Sequence, residues 1–180
     1  MNAPTVLTTL RIVSIPILVV VLLSQFNNKA IFAFAIFLLA SLTDTFDGLW
    51  ARKKNKITVL GQLLDPIADK LLITAALICL VELGSLPSWV AILIIGREIA
   101  VTGLRAIASS RGHIISASRL GKMKMTLETI AVSMLILGKG ILGALYFLSQ
   151  IALWLAVAVA VISGIEYFIK FAPFLLSRRT

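Results

Sequence analysis

The sequence predicts an all-α, polytopic membrane protein with six transmembrane helices and an N-terminal interfacial helix. Of the 180 residues, 59% are hydrophobic and only 14% are charged, and the mean hydropathy is +1.04. This composition lies outside the range of soluble globular domains. The apolar residues form runs long enough to cross a bilayer as helices, with short polar turns between them. The length suits one transmembrane bundle, so we expect residues 1–180 to form a single domain.

The elements follow from the apolar runs and from the prolines. Residues 2–11 have the mixed polar and apolar character of an interfacial helix. Pro16 marks the passage into the first span, and Pro173 ends helical structure, because proline lacks the amide hydrogen that a helix interior needs. The expected spans are approximately 12–25, 30–52, 61–81, 88–109, 120–138 and 144–170.

The distribution of basic residues predicts the orientation. Six spans put both termini on one side, and Lys29 and Lys139 are the basic residues at the far-side turns. The near side holds Arg11, Arg52, Lys53, Lys54, Lys56, Arg111, Arg119, Lys122, Lys124, Lys170, Arg178 and Arg179. Positively charged loops stay in the cytoplasm, so we expect a multi-pass cell membrane protein with both termini cytoplasmic. The net charge of +9 then reflects topology and anionic lipids or substrates rather than nucleic acid.

Four of the eight acidic residues lie in one short segment between two apolar runs. Asp44 and Asp47 are three residues apart, and Asp65 and Asp69 are four apart, so each pair lies on one face of a helix. If the two helices face each other, the four carboxylates converge. Charges at membrane depth are functional candidates. Oxygen ligands without Cys or His nearby favour Mg²⁺ or Mn²⁺ over zinc.

Two further residues of this segment fit a phosphate-bearing ligand. Gly48 leaves bare backbone that a ligand can approach closely, and Arg52 offers a charged fork for phosphate oxygens. The alternative is a salt-bridged helix end that meets the basic residues Lys53, Lys54 and Lys56. That alternative does not require two glycines and four aspartates in register.

The segment resembles the signature of the CDP-alcohol phosphotransferases, integral membrane enzymes of phospholipid synthesis. The eight signature positions are filled by Asp44, Asp47, Gly48, Ala51, Arg52, Gly61, Asp65 and Asp69. The resemblance extends over essentially the whole chain in length and hydrophobic layout. It implies an enzyme in which CDP-diacylglycerol loses CMP as an alcohol attacks its β-phosphorus, and it implies a homodimer.

The same resemblance assigns roles to individual residues. It makes Asp44, Asp47, Asp65 and Asp69 the metal site, with two Mg²⁺ or Mn²⁺ ions expected, and it makes Asp69 the base that takes the proton of the acceptor hydroxyl. It places Gly48, Ala51, Arg52 and Gly61 around the cytidine and diphosphate. Thr58 is a further candidate for a hydrogen bond to the nucleotide, although an ordinary loop threonine is nearly as good an interpretation.

Basic residues on the fourth and fifth spans predict the acceptor. Arg97, Arg105 and Lys122 are candidate ligands of a phosphate, which a neutral or zwitterionic acceptor would not need. The segments Gly96–Ser109 and Arg119–Met125 also resemble the branch of the family that uses glycerol 3-phosphate. The alternatives are pairing with Glu98 or Glu128 inside the bundle, and, for Lys122 and Lys124, snorkelling to the cytoplasmic headgroups.

Other functions predict different patterns. A cation transporter would have broken helices or acidic residues along a path rather than at one membrane face, and a non-catalytic scaffold would not need paired aspartates. Within the enzyme class, the other possible acceptors are inositol phosphate, serine and phosphatidylglycerol.

Overall fold

A computed structural model describes the backbone of residues 3–54, 59–110 and 118–176, and the side chains of residues 8–43, 67–110, 118 and 120–171. The described residues form an all-helical bundle, as the sequence predicts. Its elements are α1 (Ala3–Leu23), α2 (Lys29–Lys54), α3 (Val59–Glu82), α4 (Ser88–Ser110), α5 (Arg119–Leu142), a 3₁₀ turn (Gly143–Leu145) and α6 (Tyr146–Leu176).

The N-terminal region differs from the expectation. Instead of an interfacial helix followed by a span, α1 runs without interruption from Ala3 to Leu23, with Pro16 inside it. Proline deprives one carbonyl of its amide donor, but apolar helices tolerate this where neighbouring helices and Ser or Thr side chains restore the lost contacts. The carbonyl that loses its donor here is that of Ile12, and one residue earlier the hydroxyl of Ser14 donates to the carbonyl of Arg11 at 2.7 Å. Packing against α2 and α3 holds the rest of the helix together.

The C-terminal half also departs from the expected boundaries. Pro173 does not end helical structure, since α6 continues to Leu176. The turn before α6 lies near the expected boundary between the fifth and sixth spans. Gly138 (φ 66°, ψ 178°) leaves the helical conformation inside α5, and Gly143 (φ 53°) ends that helix. Both conformations are strained for residues that have a Cβ atom.

The core runs between all six helices and is almost entirely apolar. Leu18, Phe37, Leu72, Leu77 and Val90 are fully buried at its centre. A smaller cluster joins α4 to α6, made of Val101, Leu104, Ala108, Tyr167 and Phe171. Helices α5 and α6 pack against each other along much of their length, and α1 packs on both α2 and α3.

The outer faces of the helices are apolar as well. Every helix exposes at least one large aliphatic side chain, and examples in chain order are Val20, Leu39, Ile78, Ile92, Ile130 and Ile169. Among the described residues, one helical stretch, Leu120–Phe171, is long and apolar enough to cross a membrane, while Thr8–Leu23 and Lys29–Thr43 are shorter apolar helices. That stretch covers most of α5, the 3₁₀ turn and most of α6. The arrangement of six spans therefore stays a prediction.

Candidate functional site

The acidic segment lies on two helices that pack against each other. The last turns of α2 carry Asp44, Asp47, Gly48, Ala51 and Arg52, and the first turns of α3 carry Gly61 and Asp65. The side chains of these residues lie outside the described part of the structure, and Thr58 lies outside it altogether. Their predicted roles stay predictions.

A buried arginine joins α1 to α2 one turn before this segment. The side chain of Arg11 is 2% exposed, and its Nε donates to the carbonyl oxygen of Ala40 at 3.1 Å. Thr43 donates its hydroxyl to the same carbonyl at 2.7 Å. Because Ala40 precedes Asp44 by four residues, these bonds fix the helix turn from which the acidic segment starts.

Asp69 lies on a cavity between α3, α4 and α5. The cavity has a volume of about 30 Å³ and is partly open to solvent, and its lining also includes Lys70, Thr74, Glu98, Glu128 and Thr129. Asp69 is ten residues from the start of α3, and Glu128 is nine from the start of α5. At 1.5 Å per residue, both lie about 14–15 Å along their helices. The cavity therefore places the predicted base beside two further carboxylates.

A buried lysine connects these carboxylates. Lys124 has a side chain that is 1% exposed, and its Nζ donates to Glu98 Oε1 at 2.8 Å and also to Glu128 Oε2. Snorkelling is thus wrong for Lys124, because its ammonium group turns inward between two acidic side chains. A charge buried to this degree needs such partners to offset the loss of water.

Arg97 belongs to the same network. Its Nη1 donates to Glu98 Oε1 at 2.6 Å, its Nη2 donates to the Ser163 hydroxyl at 2.8 Å, and its guanidinium lies 5.9 Å from the centre of the Tyr167 ring. The stem passes so close to Gly164 that a Cβ there would lie 3.3 Å from Arg97 Cγ. The alternative of pairing with Glu98 is therefore realised for Arg97.

The other two predicted phosphate ligands are more exposed than Arg97. Arg105 and Lys122 have exposed side chains, on the last third of α4 and in the first turn of α5. That first turn is fixed by Ser118, whose hydroxyl accepts from the Gly121 amide at 3.0 Å and whose own amide donates to the Tyr167 hydroxyl at 3.0 Å. The placement of Arg97, Arg105 and Lys122 around one phosphate stays a prediction.

The oxygen-rich surroundings of Asp69 suit a hard cation, but they do not form a complete metal site in the described part of the chain. No group of three or more acidic, His or Cys side chains there is arranged to hold a metal ion. The side chains of the other three predicted ligands, Asp44, Asp47 and Asp65, lie outside that part.

The buried network of Lys124, Glu98, Glu128 and Arg97 was not predicted from the sequence as a unit. One signal was available, because Lys124 and Glu128 are four residues apart and share a helix face. The link to Glu98 had no local signal, since the two partners lie on different helices.

The fold and the acidic helix pair define the class of protein. The chain belongs to the CDP-alcohol phosphatidyltransferase family, whose model matches residues 1–162. The family predicted from the eight signature positions is thereby confirmed.

Relatives narrow the class further. The chain is 43% identical to the CDP-diacylglycerol–glycerol-3-phosphate 3-phosphatidyltransferase of Bacillus subtilis, over 94% of each chain. It is 40% identical to the protein of the same name from Rickettsia typhi, over 93% of this chain and 95% of the relative. It is 39% identical to a protein of Mycobacterium tuberculosis named probable phosphatidylglycerophosphate synthase, over 92% of this chain and 79% of the relative.

Proposed function

We propose that this protein transfers the phosphatidyl group of CDP-diacylglycerol to glycerol 3-phosphate, which gives phosphatidylglycerophosphate and CMP. The observation that carries the proposal is the similarity, over nearly the full length, to relatives named for this reaction. The match of residues 1–162 to the family supports the chemistry. The basic segment Arg119–Met125 favours a phosphorylated acceptor.

Asp69 is proposed as the general base. A terminal hydroxyl of the acceptor attacks the β-phosphorus, the bond from that phosphorus to CMP breaks, and the hydroxyl proton passes to the Asp69 carboxylate. A base must lie within hydrogen-bond reach of the proton that it takes. The position of Asp69 on a cavity that opens to solvent supports this role.

Asp44, Asp47, Asp65 and Asp69 are proposed to hold two divalent cations, Mg²⁺ or Mn²⁺. The chemistry of this donor set supports the proposal, since carboxylate oxygens are the preferred ligands of both ions. Bound there, the cations would offset the charge of the diphosphate and of the departing CMP. Around them, Gly48, Ala51, Arg52, Thr58 and Gly61 are proposed to bind the nucleotide.

The acceptor phosphate is proposed to bind Arg97, Arg105 and Lys122. Exposed basic side chains on α4 and α5 support this assignment. Arg97 already donates to Glu98 and to Ser163, so only a part of its donor capacity is available.

We also propose a multi-pass cell membrane protein, with both termini and the active site on the cytoplasmic side, that forms a homodimer. The apolar outer faces of all six helices support the membrane location, and the basic residues of the near side support the orientation. The homodimer rests on the family resemblance. Cysteine accessibility on either side of the membrane and the mass of the detergent-solubilised protein test these two points.

The proposed reaction is tested with purified protein in detergent. The protein receives CDP-diacylglycerol and Mg²⁺, together with one acceptor: glycerol 3-phosphate, inositol phosphate, serine or phosphatidylglycerol. CMP is measured over time. We expect rapid release with glycerol 3-phosphate and little with the other three.

Two outcomes would contradict the proposal. Release with another acceptor at an equal or higher rate would retain the chemistry but assign a different substrate. If the folded protein releases no CMP with any acceptor, the proposed enzymatic function is wrong, and cation transport becomes the function to test.

A further inference from the structure

The cavity beside Asp69 has an unusual balance of hydrogen-bonding groups. Three carboxylates line it, from Asp69, Glu98 and Glu128. Thr129, also in the lining, already donates its hydroxyl to the Met125 carbonyl at 3.0 Å, so that its remaining capacity is to accept. Lys70 and Thr74 also line the cavity and carry donors, but the three carboxylates make acceptors predominate, and the cavity suits a ligand that brings donors.

One acceptor in this lining is unused. Glu128 is 4% exposed, and its Oε2 accepts a hydrogen bond from Lys124. Its Oε1 is buried and has no hydrogen-bond partner among the described residues. A buried polar atom without a partner costs free energy, and each such atom in a native structure needs an explanation. A hydroxyl that enters the cavity would supply the missing donor.

The same carboxylates determine which end of the acceptor enters. A phosphate next to Glu98 and Glu128 would be repelled, because Lys124 and Arg97 are already paired with these glutamates. Hydroxyl groups have no such penalty. In the proposed function the phosphate end binds basic side chains that include Arg105 and Lys122, so the hydroxyl end is the one that lies toward Asp69.

Glycerol 3-phosphate has two hydroxyls. The terminal one reacts and gives its proton to Asp69, and the one on the middle carbon does not react. We propose that Glu128, through Oε1, accepts a hydrogen bond from this second hydroxyl and thereby selects a vicinal diol as acceptor. The inference rests on the proposed transfer to glycerol 3-phosphate, and it adds the group that recognises the part of the acceptor that is not consumed.

The experiment compares glycerol 3-phosphate with 3-hydroxypropyl phosphate, which keeps the reacting hydroxyl and the phosphate but lacks the middle hydroxyl. The quantity measured is kcat/KM for glycerol 3-phosphate divided by kcat/KM for 3-hydroxypropyl phosphate, determined for one protein at a time. A site built to bind a hydroxyl rejects an analogue that lacks it, because its own polar group is then left without a partner. A hydrogen bond to a charged group corresponds to a ratio of roughly 10–100 for the wild-type protein.

Glu128→Gln should reduce this ratio at least about fivefold, since a neutral amide is a weaker acceptor than a carboxylate. A merely structural role would lower both rates together and leave the ratio unchanged. The matched control is Glu166→Gln, which alters another glutamate paired with a lysine four residues away, on α6 and outside the cavity. Its ratio should equal that of the wild-type protein.

A wild-type ratio near 1 would overturn the inference, as would a wild-type ratio of 10 or more that Glu128→Gln leaves unchanged. If Glu128→Gln does not fold, Glu128→Asp serves in its place, with the same fall in the ratio expected because the shorter carboxylate is withdrawn from the ligand. If neither variant folds, the wild-type ratio is the remaining measurement: a ratio of roughly 10 or more supports recognition of the second hydroxyl, and a ratio near 1 contradicts it. Absence of CMP release with glycerol 3-phosphate would instead contradict the proposed function, so the two failures are distinguishable.

Discussion

The buried lysine at the centre of the bundle offers the sharpest test of how the charged network stabilises the fold. We expect Lys124→Met to lower stability strongly. Methionine fills a similar volume, but it leaves Glu128, which is 4% exposed, without its cationic partner. Glu98 retains Arg97 at 2.6 Å and is affected less.

The expected size follows from the burial of the pair. Removing one partner of a buried ion pair costs about 3–5 kcal/mol, because an uncompensated charge stays behind. For a chain of this length, 1 kcal/mol shifts the melting temperature by roughly 2–4 °C. The Tm of Lys124→Met should thus fall by about 6–20 °C. The second substitution Glu128→Gln should restore part of this loss, because the unpaired charge is removed.

Thermal unfolding of the purified protein in one detergent, at one pH and lipid content, measures these shifts. Lys170→Met is the matched control, since Lys170 pairs with Glu166 on α6 but has a side chain that is 61% exposed. Such surface pairs are worth only about 0.3–0.5 kcal/mol, so its Tm should change by no more than about 2 °C. Equal shifts for Lys124→Met and Lys170→Met would refute the reasoning.

Three further predictions concern the site and the turn before α6. Asp69→Asn should lower kcat about 100-fold or more, because the base is lost, while nucleotide binding partly survives; full activity would remove Asp69 from this role. Arg105→Ala should raise the KM for glycerol 3-phosphate about tenfold, with little change for CDP-diacylglycerol; equal effects on both substrates would dismiss the phosphate assignment. Gly138→Ala should cost about 1–3 kcal/mol, since Gly138 has φ 66° and ψ 178°. Gly140→Ala, at a position with open space around it, should leave the Tm unchanged or raise it.

The sequence was sufficient to predict the helices but not all of their ends. Apolar runs place four of the six helices, α2 to α5, to within a few residues, because burial or lipid contact requires a continuous apolar surface. Pro16 and Pro173 did not mark helix ends as expected, since Pro16 lies inside α1 and Pro173 lies inside α6. Local rules for proline describe helices in water, whereas tertiary packing and an apolar environment keep these helices continuous.

The site was predictable only where its residues are close in the sequence. Spacing alone indicates that Asp65 and Asp69 share a face of one helix. The partners of Lys124 depend on where α4 lies relative to α5, because Glu98 is 26 residues away. Adjacent residues such as Arg97 and Glu98 point to different faces at their Cα atoms, yet the long arginine side chain reaches back to the carboxylate. Long side chains therefore require the tertiary structure.

Isotope-labelled acceptor provides the most direct test of the central claim. Purified protein is incubated with CDP-diacylglycerol, Mg²⁺ and ¹³C-labelled glycerol 3-phosphate, and both products are measured by mass spectrometry. We expect labelled phosphatidylglycerophosphate and CMP in equal amounts. CMP without labelled lipid would mean hydrolysis instead of transfer, and that result would contradict the account.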